Sequence, residues 1–115
     1  MKIYLACPYS HENEKVREKR VEMATKAAAK LMEDGHQVFS PITHTHPISK
    51  YTNKHPCDND FWMVQDLWIL VACNEIYVLC LDGWEFSKGV EEEVKVAYRL
   101  NKKITYLKGG KWTKE

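Results

Sequence analysis

Short apolar runs alternate with longer stretches of helical period along this chain, and that alternation limits the fold more than any other feature. Strands separated by helices of ten to twenty residues run parallel in one sheet covered on both faces. The first run, Lys2-Ile3-Tyr4-Leu5-Ala6-Cys7, is closed by Pro8, which has no N–H to give to a ladder. From about Asn13 to Asp34 the residues Val16, Met23, Ala24, Ala27, Ala28 and Leu31 recur at helical spacing, and Gly35 supplies a left-handed cap. Ser10, just ahead of this helix, reads as its N-cap. Gln37-Val38-Phe39-Ser40 forms a short second strand stopped by Pro41.

Residues 41–57 carry Pro41, Pro47, Pro56 and three histidines, with no apolar period, and read as a long structureless loop of the kind that lines a site. Asp58 or Asn59 then caps a second helix reaching about Cys73, and residues 75–81 form a buried strand. Asp82-Gly83 turns the chain into a third helix, capped by Ser87 and running to about Leu100, with Val90, Val94, Ala97 and Tyr98 on one face. Lys103 to Leu107 close as the last strand. The expected product is a small Rossmann-like or flavodoxin-like α/β domain over residues 1–107, with a parallel sheet of four to five strands and helices on both faces. Residues 108–115 read as a loose tail.

A chain of 115 residues is sized for one domain. Its 17 basic and 16 acidic residues are interleaved, which provides no electrostatic footprint for a nucleic acid polymer or an anionic membrane. The longest apolar run, Leu67 to Cys73, is far too short to span a bilayer, and a cytoplasmic location is expected. Four cysteines without CxxC spacing read as reduced thiols.

In a parallel sheet, ligands bind beyond the carboxyl ends of the strands, which here are Cys7 to Ser10, Ser40 to His46 and Asp82 to Gly89. Ser87-Lys88-Gly89-Val90 opens a helix directly after a strand, so Ser87 either simply caps it or, with Gly89 and the free amides, holds an anion such as a phosphate. Neither GxGxxG nor GxxxxGK[ST] occurs, and no cofactor is expected. Of Glu91, Glu92 and Glu93, periodicity puts Glu93 on the inward face beside Val90, Val94 and Ala97, where a carboxylate could act as nucleophile or base. Asp66 interrupts an apolar helix among Leu67, Ile69 and Leu70, and is either a surface residue or a carboxylate with a task.

Tyr4 on the first strand and Tyr9 in the following loop either pack or reach such a carboxylate. Trp84 either anchors its loop or stacks on a base, and Asp82 stands at the end of its strand beside it. His44-x-His46 is a weak metal signal without a carboxylate cluster. The two histidines are therefore placed with Tyr9, Ser10, Asp82 and Trp84 among residues expected near a small-molecule ligand, and no metal is expected.

Ile3-Tyr4-Leu5-Ala6-Cys7-Pro8-Tyr9-Ser10-His11, Gly35 through Ile42, His44-Thr45-His46-Pro47-Ile48, and Leu81-Asp82-Gly83-Trp84 through Ser87-x-Gly89-Val90-x-x-Glu93 together resemble a family of small uncharacterised bacterial and phage proteins. That family is related to the nucleoside 2-deoxyribosyltransferases and the deoxynucleoside 5′-monophosphate N-glycosidases. The resemblance implies that Glu93, in Gly89-x-x-x-Glu93, attacks an anomeric carbon, that Tyr4 touches it, and that Asp66 handles the base or its proton. In the monophosphate-cleaving branch a serine at the position of Ser87 contacts the phosphate, whereas the transferase branch has an aspartate there. The transferases also have a glycine-rich first loop, while Cys7-Pro8-Tyr9 is stiff and bulky. The resemblance therefore implies N-glycosidic bond cleavage in a nucleoside 5′-monophosphate or related nucleotide, by hydrolysis or transfer. The rival from another class is a non-catalytic module that binds or sequesters a nucleotide in the same cleft. Subunits complete one another's sites in the relatives, which implies a homo-oligomer, dimer or tetramer, in contact through the helix that carries Trp62 and Trp68.

Overall fold

A computed structural model describes residues 1–108. Strands β1 (Lys2–Ala6), β2 (Gln37–Phe39), β3 (Glu75–Leu79) and β4 (Lys103–Leu107) form one sheet in the order β2-β1-β3-β4. Every neighbouring pair is parallel, with Ile3 beside Val38 and Tyr4 beside Ile76 in register. The expected α/β class is therefore found, with four strands among the described residues.

The period of two along β1 divides the core between the two faces. Leu5 and Cys7 join Leu79 under Ala24, Ala27, Ala28 and Leu31 of helix α1 (Glu14–Glu33). Tyr4 and Ala6 join Ile76 and Val78 on the opposite face, under Leu70 of α3 (Asn59–Ala72) and Val90 and Ala97 of α4 (Lys88–Arg99). The alanines of α1 let that helix lie close to the sheet, since each packs without bulk and has the highest helix propensity.

The caps follow from local chemistry, with one correction. Asn13, not Ser10, caps α1, its side chain accepting from the Lys15 N–H at 2.8 Å. Asp58 caps α3 through the Phe61 N–H and Ser87 caps α4 through the Val90 N–H, each bond 3.2 Å long. Caps of this kind stabilise a helix by about 1 kcal/mol each. Gly35 adopts a φ of 100° directly after α1, as its left-handed cap requires.

Residues 41–57 are not structureless throughout, because helix α2 (Pro41–Ser49) occupies their first half. Pro41 stands at the start of α2, where a missing N–H costs nothing and a fixed φ helps. Pro47 lies inside α2, withholds the amide that the Thr43 carbonyl would take, and the helix ends two residues later. Third-strand pairing stops at Leu79 rather than Leu81, and a 3₁₀ turn over Trp84–Phe86 precedes α4. The expected loose tail falls, apart from Lys108, outside the described residues.

The order of the sheet reverses between β1 and β3, which is where a doubly wound sheet opens a crevice at its carboxyl edge. The segments leaving β1, β2 and β3 all meet there. No helix among the described residues is long and apolar enough to cross a membrane. All four cysteines are free thiols, with Cys7 and Cys73 buried.

Candidate active site

A cavity of about 60 Å³ lies at this crevice, floored by Cys7, Asp66 and Glu93. Tyr9 and Ser10 flank it from the segment after β1, Ile42 from the start of α2, Asn59 from the start of α3, and Ser87 and Gly89 from the start of α4. Three helix N-termini thus face one small space, and the positive ends of their dipoles favour negative charge there. Among the described residues no lysine or arginine lines the cavity, which leaves these helix ends as its positive features.

The three consecutive glutamates of α4 separate as a period of 100° per residue demands. Glu91 is exposed and pairs with Lys95 at 3.4 Å. Glu92 accepts from the Asn59 side-chain amide at 3.1 Å. Glu93 turns inward with Val90 and Ala97 and is only 5% exposed. Its carboxylate accepts a short hydrogen bond from the phenol of Tyr4, which is wholly buried on β1.

Burial raises Glu93 to a pKa of about 8, against the Tyr4 hydrogen bond that lowers it and with the charges of Asp66 and Glu92 that raise it further. Tyr4 is itself pushed well above its usual value by burial and by the Glu93 charge, so it stays a phenol and a donor. Asp66 is 6% exposed, and its Oδ1 has no hydrogen-bond partner. Burial raises it to about 7, so near neutrality it exists in both protonation states. Two carboxyl groups and a phenol that cannot all ionise together hold a proton in the cavity, the pattern from which acid and base roles arise.

Gly89 is fixed by close approach. A Cβ there would lie 3.1 Å from Asn59 Oδ1, and the same amide bonds Glu92, so the starts of α3 and α4 are locked together at the cavity edge. Ser87 Oγ accepts from Val90, which leaves its hydroxyl proton to donate.

Tyr9 lines the wall, and its hydroxyl bonds His46 Nδ1 at 2.7 Å, so His46 supports the cavity from behind rather than lining it. Burial lowers His46, which favours the neutral ring. Three expected site residues are not brought to the cavity. His44 turns to Phe39, with ring centroids 5.6 Å apart. Trp84 packs on Tyr106 at 5.4 Å, and Asp82 is an exposed turn residue whose carbonyl accepts from Arg20. Both stand after β3 has ended at Leu79, Asp82 ahead of the 3₁₀ turn and Trp84 at its start. Among the described residues no three His, Cys, Asp or Glu side chains gather as a metal site.

Sequence reasoning missed Asn59, Trp62 and Met63, which line the cavity with Asp66. The signal was present as spacing, since residues 59, 62, 63 and 66 stand at i, i+3, i+4 and i+7 of one helix face.

The fold and the cavity together define a small doubly wound α/β domain with two buried carboxyl groups at its switch point. Residues 1–108 match the family described as a domain of unknown function (DUF1937), and the chain belongs to that family. No curated protein matches it. Among solved structures, it is similar to a 2-deoxyribosyltransferase from the psychrotolerant bacterium Bacillus psychrosaccharolyticus, at 23% identity and a TM-score of 0.64, over 92% of this chain and 71% of that one. At that identity the likeness is one of fold.

Proposed function

We propose that this protein cleaves the N-glycosidic bond of a nucleoside 5′-monophosphate or related nucleotide, with Glu93 as nucleophile. The observation that carries the reading is the buried hydrogen bond from Tyr4 to Glu93, a residue that lines the same cavity as Asp66 with its unpartnered carboxyl oxygen. The fold shared with a 2-deoxyribosyltransferase supports it.

In the first step a Glu93 oxygen bonds the anomeric carbon as the carbon–nitrogen bond breaks, and the bonding pair leaves with the base. Asp66, protonated, gives its proton to the departing nitrogen and becomes a carboxylate. Tyr4 fixes the orientation of Glu93 and stabilises its ionised form. In the second step water, or a second base, attacks the anomeric carbon and frees Glu93, and the displaced proton returns to Asp66. Water makes the reaction a hydrolysis and a base makes it a transfer. Ser87, Gly89 and the first-turn amides of α4 hold the phosphate, which places the anomeric carbon at Glu93 and converts binding into orientation.

The test is incubation of the protein and of Glu93→Gln with nucleosides and nucleoside 5′-monophosphates, followed by chromatography of free base. Base released by the wild type and not by the variant is the expected result. Affinity without release, equal in both proteins, would instead identify a nucleotide-binding module.

A further inference from the structure

We propose that the groove between α2 and α3 is the seat of a planar purine or pyrimidine base, joined to a sugar held in the carboxylate cavity. This rests on the glycosidic reading above and names the part of the substrate that the cavity leaves unplaced. The cavity measures about 60 Å³ and the groove beside it about 280 Å³. A whole nucleoside is larger than a space of that size. A substrate whose anomeric carbon reaches Glu93 must extend outward.

The groove is where it can go. Thr45 and Trp62 line both spaces, which are therefore adjacent. His44, Phe61, Gln65 and Trp68 also line the groove. Aromatic faces bind a heterocycle by stacking whichever base it is, and an amide that both donates and accepts can read the base edge. Gln65 and Asp66 are consecutive on α3, so one helix turn presents an amide to the groove and a carboxyl to the cavity, on either side of the bond that breaks. The same placement accounts for His44, which lies away from the carboxylates yet lines this groove.

The experiment is a titration of ¹⁵N-labelled protein with adenine, hypoxanthine, cytosine and thymine, following the tryptophan indole resonances. Trp68 lines only the groove and is 68% exposed, so Trp68→Ala leaves the core intact, and Trp84 on Tyr106 serves as the distant control. At least one free base is expected to shift the Trp62 and Trp68 signals but not that of Trp84, equally in the wild type and in Glu93→Gln. Trp68→Ala is expected to weaken that base by roughly five- to a hundredfold, the range that stacking on one ring supplies. Gln65→Ala is expected to change which base binds best.

Bases that leave the Trp68 signal in place would overturn the subsite, even if nucleotide turnover is observed. Shifts at Trp68 that track protein concentration rather than added base would also overturn it, because a second copy of the chain would then be the occupant. Base-dependent shifts in a protein that releases no base would uphold the subsite and retire the glycosidase reading instead.

Discussion

Glu93 and Asp66 are carboxyl groups that folding holds near neutrality against their ordinary acidity, and desolvation is the main cause for both. That arrangement has a kinetic consequence. If Glu93 must be ionised and Asp66 protonated, kcat/KM passes through a single maximum between the values of about 7 and about 8, which belong to the pair rather than to either residue. A rate profile that is flat from pH 6 to pH 9 would exclude this division of labour. It also has a cost in stability. A carboxyl group whose folded pKa is raised binds more protons in the native state, so its contribution is complete below the unfolded value of 3.8 and is lost as pH rises through about 7. Asp66→Asn should therefore increase stability at pH 8 by up to about 4 kcal/mol, with a higher melting temperature there, and leave both nearly unchanged at pH 4. Thermal unfolding at the two pH values checks this, and equal shifts at both would contradict it.

At the scale of elements, α3 and α4 are coupled at their first turns through Asn59, which bonds Glu92 and would crowd a side chain at Gly89. Gly89→Ala alone should cost stability by crowding Asn59, while in an Asn59→Ala background the same change should be neutral or favourable, since alanine is the better helix former. A double-mutant cycle by denaturant unfolding reads that coupling, expected at about 0.5–1 kcal/mol. Strict additivity would show that the two helices are not locked there. The long elements were legible because periodicity states them directly. Ala24, Ala27, Ala28 and Leu31 mark α1, and Val90, Glu93 and Ala97 mark the buried face of α4. Helix α2 was not legible, because Pro41, Pro47 and two threonines leave it little propensity and only Ile42 and Pro41 are buried. A proline at a helix start and one that ends a strand look alike in sequence. The same ambiguity hid the position of the histidines, which a loop would have left free and a helix sends to opposite walls.

For the whole molecule, the order β2-β1-β3-β4 brings three segments that are distant in sequence to one crevice, and the alternation of strands and helices made the parallel sheet readable but not that order. Nor could the alternation supply depth. Whether Tyr4 reaches Glu93 depends on how closely α4 lies on the sheet, and that is set by Ala6, Val90 and Ala97 packing together. Trp84 and Asp82 belong to a segment held by partners distant in sequence, Trp84 by Tyr106 and the Asp82 carbonyl by Arg20. The central claim is that Glu93 forms a covalent bond with the sugar, and intact-protein mass spectrometry after rapid acid quench, with peptide mapping, tests it most directly. Incubation with a cleavable nucleoside 5′-monophosphate should yield an adduct of the sugar phosphate on the peptide containing Glu93, absent in Glu93→Gln. Base release without any adduct on that peptide, and undiminished in Glu93→Gln, would show that the reaction proceeds without this nucleophile.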